Sequence, residues 1–215
     1  MDRGTVQLLL ANRSFSYSLA ARGFAEEPDE ADAAVLRQPH TLDEVRLVKE
    51  GIEEVERAFV DMLDFLGSND ARLPELRVEY VRVLVGLGTL AADPWESMHT
   101  TGKRVLFQRD MLTVRDAYRA AGFLPVRYPA VADDHIALEL DFLAKLAADA
   151  CAAHGEGDAD RCERRLRESA AFLEEHLLRW ADSYAEAVVR GCGRCFYGAL
   201  ARFAASVAKR DTAVV

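Results

Sequence analysis

The chain has 215 residues, with 27 Lys or Arg against 36 Asp or Glu, a formal net charge of −9. Half of it is hydrophobic and 29% is charged, which suits a globule, is too apolar for a disordered chain, and is too acidic for nonspecific binding to nucleic acid. No apolar run approaches the roughly 20 residues of a membrane span, and the start of the chain has neither a signal-peptide core nor a twin-arginine pair, so the expectation is a cytoplasmic protein with no stable membrane insertion.

The chain reads as helix almost throughout. Alanine, leucine, arginine and glutamate dominate, which are strong helix formers, and no period-two alternation of β-branched residues signals a strand. The first helix is expected over residues 5–22, with Gly23 as the glycine just past its end. Residues 25–40 contain Pro28, Pro39 and five acids and read as a loop holding at most one short helix. Thr41 is placed as an N-cap, with Glu44 completing a capping box. Behind it, Val45, Val48, Ile52, Val55, Phe59, Met62, Leu63 and Leu66 recur at spacings of three and four, one apolar helical stripe. The run 67–70 stops that helix, and the next spans 73–85 with Pro74 in its tolerated first turn.

Residues 86–102 are irregular, broken by Pro94 and three glycines. A helix follows over 105–121, closed by Gly122. Pro125 and Pro129 then forbid a continuous helix and mark a hinge over 125–132. Asp133 or Asp134 is expected to cap a helix over 135–153, 154–160 forms a turn, a long helix runs from 159 towards 179, and the last covers 184–209. The expectation is one all-α domain of about seven to nine helices. Its N-terminal part covers 1–124, and its C-terminal part 133–210.

Three places could carry chemistry. In the run 93–99, Trp95 sits in a proline-broken loop, and an indole needs burial and a partner for its N–H. It either anchors the loop, with Glu96 or Ser97 capping a nearby helix, or forms one wall of a peptide groove. In the run 133–139, Asp134 can cap the helix while His135 and Glu139 share a face. That pair could hold a metal or form a polar binding patch, although both the two-His zincin pattern and the paired Glu-x-x-His of di-iron bundles are missing. The third is Cys192-Gly193-Arg194-Cys195. With no βαβ context for redox chemistry, these cysteines read as small, buried helix-packing residues rather than a disulfide. No phosphate loop, nucleophile elbow or dinucleotide fingerprint is present, so no cofactor and no catalytic residue is expected.

The runs at 94–99, 133–146, 172–180 and 196–203, in that order and at these separations, resemble the TorD/DmsD family of cytoplasmic chaperones for molybdenum-containing redox enzymes. The resemblance covers about residues 75–205. It implies a single all-helical domain, not an enzyme, that binds the twin-arginine signal peptide of an exported reductase or dehydrogenase. The client is the apo-form of the catalytic subunit, held until its molybdopterin cofactor is inserted. Pro94, Trp95, Glu96 and Ser97 match the family's Pro-Trp-Glu-Ser segment beside the peptide groove. Asp134 and His135 match its Asp-His pair, Glu139 matches the acid that follows, and Tyr80 matches a Tyr-x-x-Leu-Phe-x-Gly segment. The partner implied is therefore a signal peptide, bound by a monomer or a domain-swapped dimer. A metal-binding or redox-active helical protein using Cys192 and Cys195, or His135 and Glu139, is the alternative.

Overall fold

Helices meet at right places because their apolar stripes have only one another to cover. The computed structural model describes residues 2–48, 51–86, 90, 92–101, 109–126 and 132–214. They form eleven α-helices: α1 Arg3–Ala25, α2 Glu30–Arg37, α3 Pro39–Val45, α4 Ile52–Leu66, α5 Leu73–Tyr80, α6 Glu96–Thr100, α7 Arg109–Ala120, α8 Ile136–Glu156, α9 Ala159–Glu175, α10 Ala181–Cys192 and α11 Phe196–Val214. No strand occurs among the described residues, as expected, and no described helix is long and apolar enough to cross a membrane.

α1 lies along α8, α11 packs on α4 and α10, and α9 packs against α8. The core between them is aromatic and aliphatic. Phe59 of α4 meets Phe203 of α11 with ring centroids 5.9 Å apart, and Phe24 of α1 meets Tyr184 of α10 at 6.0 Å. Tyr118, Phe142 and Phe172 form a second aromatic cluster joining α7, α8 and α9. The α4 stripe is as expected, with Val55, Phe59, Met62 and Leu66 all buried.

Several boundaries differ from the sequence expectation, each for a local reason. α1 continues through Gly23. A Cβ there would stand 2.8 Å from Cδ2 of Leu200, so the glycine serves the close approach of α1 to α11 rather than a helix end. Residues 25–40 hold α2, started by an Asp29–Asp32 capping box, and the first residues of α3. Thr41 lies inside α3, where its hydroxyl donates to the Val35 carbonyl at 2.6 Å, so it caps nothing. α8 runs on to Glu156. The expected hinge falls mostly on 127–131, outside the described residues, as does the start of the expected helix at 105–108.

The last helix is two helices. α10 ends at Cys192, and Gly193 adopts φ +73, a left-handed conformation that a side chain would strain, before α11 starts at Phe196. Cys192 and Cys195 are joined by a disulfide across this turn. That corrects the reading of both as helix-packing thiols: only Cys195 is buried, and the break at Gly193 turns the two sulfurs toward each other.

One buried ion pair crosses the layers. Arg13 of α1 donates to Asp211 of α11 at 2.8 Å and to Ser169 of α9 at 3.2 Å, and Tyr17 also donates to Asp211 at 2.8 Å. Removing one partner strands the other in the interior. Asp211→Ala should therefore cost about 3–5 kcal/mol in urea unfolding, whereas Arg13→Met combined with Asp211→Leu should recover most of that loss.

Candidate functional site

Two irregular segments, far apart in sequence, pair as a short antiparallel bridge at Trp95 and His135. The Glu96 N–H donates to the Asp134 carbonyl at 2.9 Å, and the Ile136 N–H donates to the Pro94 carbonyl at 2.9 Å. The two segments each open a helix, α6 and α8, so the pairing sets two helix starts side by side. The indole of Trp95 and the imidazole of His135 meet edge to face, 5.6 Å between centroids.

The capping differs from the sequence expectation. His135, not Asp133 or Asp134, is the N-cap of α8, and its Nδ1 accepts the Ala137 N–H at 3.2 Å. That bond needs a bare ring nitrogen, and burial lowers the imidazole pKa to about 4, so the ring is neutral at physiological pH. Asp134 instead serves the neighbouring helix: its Oδ2 accepts the Ser97 N–H in the first turn of α6 at 3.0 Å. Asp133 pairs with Arg115 of α7 at 2.5 Å, and its carbonyl accepts the Tyr118 hydroxyl at 2.9 Å.

Behind the bridge lies a buried acidic cluster. Glu96, Asp133, Asp134 and Glu139 are all at most 2% exposed. Glu96 faces His176 Nδ1 at 3.0 Å, and Glu139 accepts the Trp180 indole N–H at 3.1 Å. Burial first, and then the negative charge of Glu96, push the Glu139 carboxyl well above its ordinary value, opposed by the Trp180 N–H. With His135 capping α8 and Glu139 committed to Trp180, neither residue of that candidate metal pair is turned toward a shared ion.

In front of the bridge is a groove of about 400 Å³. Its walls are Phe24 from α1, Tyr80 and Leu84 from α5 and its continuation, Tyr118 from α7, Phe123 and Leu124 after it, and His135, Leu138 and Phe142 from α8. Leu124 is 58% exposed and Val126 fully so, an apolar lip. Glu26 and Asp141 stand at the rim with Lys145, which is ion-paired to Asp141. Of the residues singled out in the sequence, His135 and Tyr80 line this groove. Trp95 touches it through His135, while Pro94, Glu96, Ser97, Asp134 and Glu139 lie buried behind.

A family model described as the nitrate reductase delta subunit matches residues 48–186. The chain belongs to that family. Among curated proteins it is 28% identical to a chaperone protein TorD of Vibrio cholerae over 66% of this chain and 62% of that one. It is 27% identical to a chaperone protein TorD of Aliivibrio fischeri over 67% of this chain and 66% of the relative. The matched stretch thus spans less than two thirds of these relatives' length. Among solved structures, a redox enzyme maturation protein from Archaeoglobus fulgidus aligns with a TM-score of 0.40 at 16% identity, over 82% of this chain and 91% of the other. The family model and the TorD relatives bear out the family named from the motifs.

In this member of the nitrate reductase delta subunit family, sequence reasoning missed the partners of the buried acids. Arg115, His176 and Trp180 lie on ordinary helical stripes, and only the need of each buried carboxylate for a donor would have pointed to them. His99, in the 94–99 run, has a structural place of its own. Its Nε2 lies 2.7 Å from the Asp93 carbonyl and its Nδ1 3.1 Å from the Ser183 hydroxyl, which fastens the α6 segment to α10.

The stability that depends on a protonated Glu139 is complete below the ordinary pKa of 4.5 and is lost as pH rises through the raised native value. Glu139→Gln should therefore melt higher than the wild type at about pH 8, with the gap closing toward about pH 5. Loss of the α6 cap in Asp134→Ala should cost about 0.5–2 kcal/mol by chemical denaturation, and Asp134→Asn, which keeps an acceptor, only a fraction of that.

Proposed function

We propose that this protein is a cytoplasmic chaperone, not an enzyme, that binds the twin-arginine signal peptide of an exported molybdenum-containing reductase or dehydrogenase and holds the apo catalytic subunit before export. The observation that carries this reading is an apolar groove with carboxylates at its rim, in a member of a family whose named relatives include TorD chaperones. Twin-arginine peptides combine basic residues with an apolar stretch, and such a groove answers both parts. Phe24, Leu84, Phe123, Leu138 and Phe142 offer aromatic and aliphatic surface to the apolar stretch. Glu26 and Asp141 offer carboxylates to guanidinium groups, which bind them bidentately. The net charge of −9 speeds the encounter with a basic peptide.

Within this reading Tyr80 and His135 contact the peptide, and Trp95 holds the His135 ring in place. Pro94, Glu96, Ser97, Asp134 and Glu139 form the rigid frame behind them. The acids in that frame are sealed from solvent, so the charges that meet arginine are those at the rim. The protein acts as a monomer or as a domain-swapped dimer.

Calorimetry with the signal peptides of candidate molybdenum enzymes tests this. Binding is expected, weakened about tenfold or more by Tyr80→Ala, the size of loss seen for an anchoring aromatic. Glu26→Gln and Asp141→Asn should each weaken it by about 0.5–1 kcal/mol, as exposed ion contacts do, and make it less sensitive to salt. No binding by the folded protein to any such peptide at high micromolar concentration would remove the reading.

A further inference from the structure

The Cys192–Cys195 corner is not among the residues that line the groove. Cys192 closes α10, Cys195 precedes α11, and the left-handed turn at Gly193 brings both sulfurs to one side of the chain. Glu79 of α5 joins them. One carboxylate oxygen of Glu79 and the two Sγ atoms all lie within 4.8 Å of one another. The sequence gives no hint of this third member, 113 positions before Cys192 (192 − 79).

The first turn of α11 is aimed at two of these three groups. The Gly198 N–H donates to Cys195 Sγ at 3.3 Å, and the Tyr197 N–H donates to Glu79 Oε1 at 2.7 Å. Backbone donors and the positive end of a helix favour thiolate and carboxylate over their protonated forms. Glu79 is partly buried, with its carboxylate beside the two sulfurs. A disulfide that closes only this short a loop constrains the unfolded chain little.

We propose that the reduced corner is a binding site for a thiophilic divalent cation of the zinc type, with Cys192 Sγ, Cys195 Sγ and the Glu79 carboxylate as ligands. Two thiolates and one carboxylate supply three corners of a tetrahedron, and water or a fourth group completes it. The disulfide seen in the structure is the oxidised form of the same site. A cellular dithiol reduces it by thiol–disulfide exchange: two electrons and two protons pass to Cys192 and Cys195, and the donor leaves as its own disulfide. Metal binding then releases the two thiol protons. Oxidation by a disulfide donor reverses the sequence and expels the ion. Because Glu79 neighbours Tyr80, the ion would tie the α10–α11 corner to the helix that forms one wall of the groove.

The test uses the full chain, reduced with a phosphine, freed of reductant without air, and titrated with zinc against a chromophoric chelator. The expected result is one zinc per chain, absent from the disulfide form and from Cys192→Ser/Cys195→Ser, and retained in Cys151→Ser/Cys162→Ser. Glu79→Gln should weaken zinc binding by about tenfold or more, the loss typical of a disturbed metal site. Cadmium in place of zinc should give the ultraviolet charge-transfer band of metal–thiolate bonds, with circular dichroism confirming that each variant is folded. Zinc binding by the reduced wild type no stronger than by the folded double-serine variant would overturn the site. Wild-type affinity in Glu79→Gln would overturn the three-ligand assignment.

Discussion

Two backbone hydrogen bonds, from Glu96 to Asp134 and from Ile136 to Pro94, hold together everything at the groove. They join segments that neither helix propensity nor an apolar stripe would bring into contact. Once joined, α6 and α8 begin beside each other, with their unsatisfied N–H groups in one small volume. Positive helix ends attract acids, and the chain places Asp134 at the start of α6 and His135 at the start of α8. The contact between Trp95 and His135 follows from the pairing, because these two residues are the bridge partners.

The pairing also explains why so many carboxylates lie inside. A buried charge is tolerated only where partners replace the lost water. Asp133 has Arg115, Glu96 has His176 and Asp134 has the Ser97 N–H, while Glu139, which burial pushes toward its neutral form, accepts the Trp180 indole N–H. Each of these contacts joins a different pair of elements, so the cluster fixes α6, α7, α8 and the α9–α10 corner relative to one another. Such a network favours a single arrangement more than it favours raw stability. It also separates roles among the acids: the buried four are framework, and Glu26 and Asp141 remain facing solvent at the groove.

The family match begins at residue 48, yet α1 lies before it. α1 packs along α8 and is locked to α11 through Arg13 and Asp211. Its last turns bring Phe24, Ala25 and Glu26 to the groove. One wall of the groove and one of its two rim carboxylates thus come from the part of the chain outside the matched stretch.

The sequence by itself determined the all-helical class, the stripe of α4, the turn at 67–70, the proline-tolerant start of α5 and the two irregular runs around Trp95 and His135. These are local properties: propensity, periodicity of three and four, and the backbone limits of proline and glycine act over a few residues. Tertiary structure alone decided which acid caps which helix, which residues of the recognised motifs face the groove and which are sealed behind it, and that Glu79 meets Cys192 and Cys195. Asp134 caps α6 rather than its own α8, and Gly23 continues a helix instead of ending it, because in each case the partner, Ser97 or Leu200, comes from a distant part of the chain. Burial and capping depend on what packs against a residue, and a residue's neighbours in sequence carry no record of that.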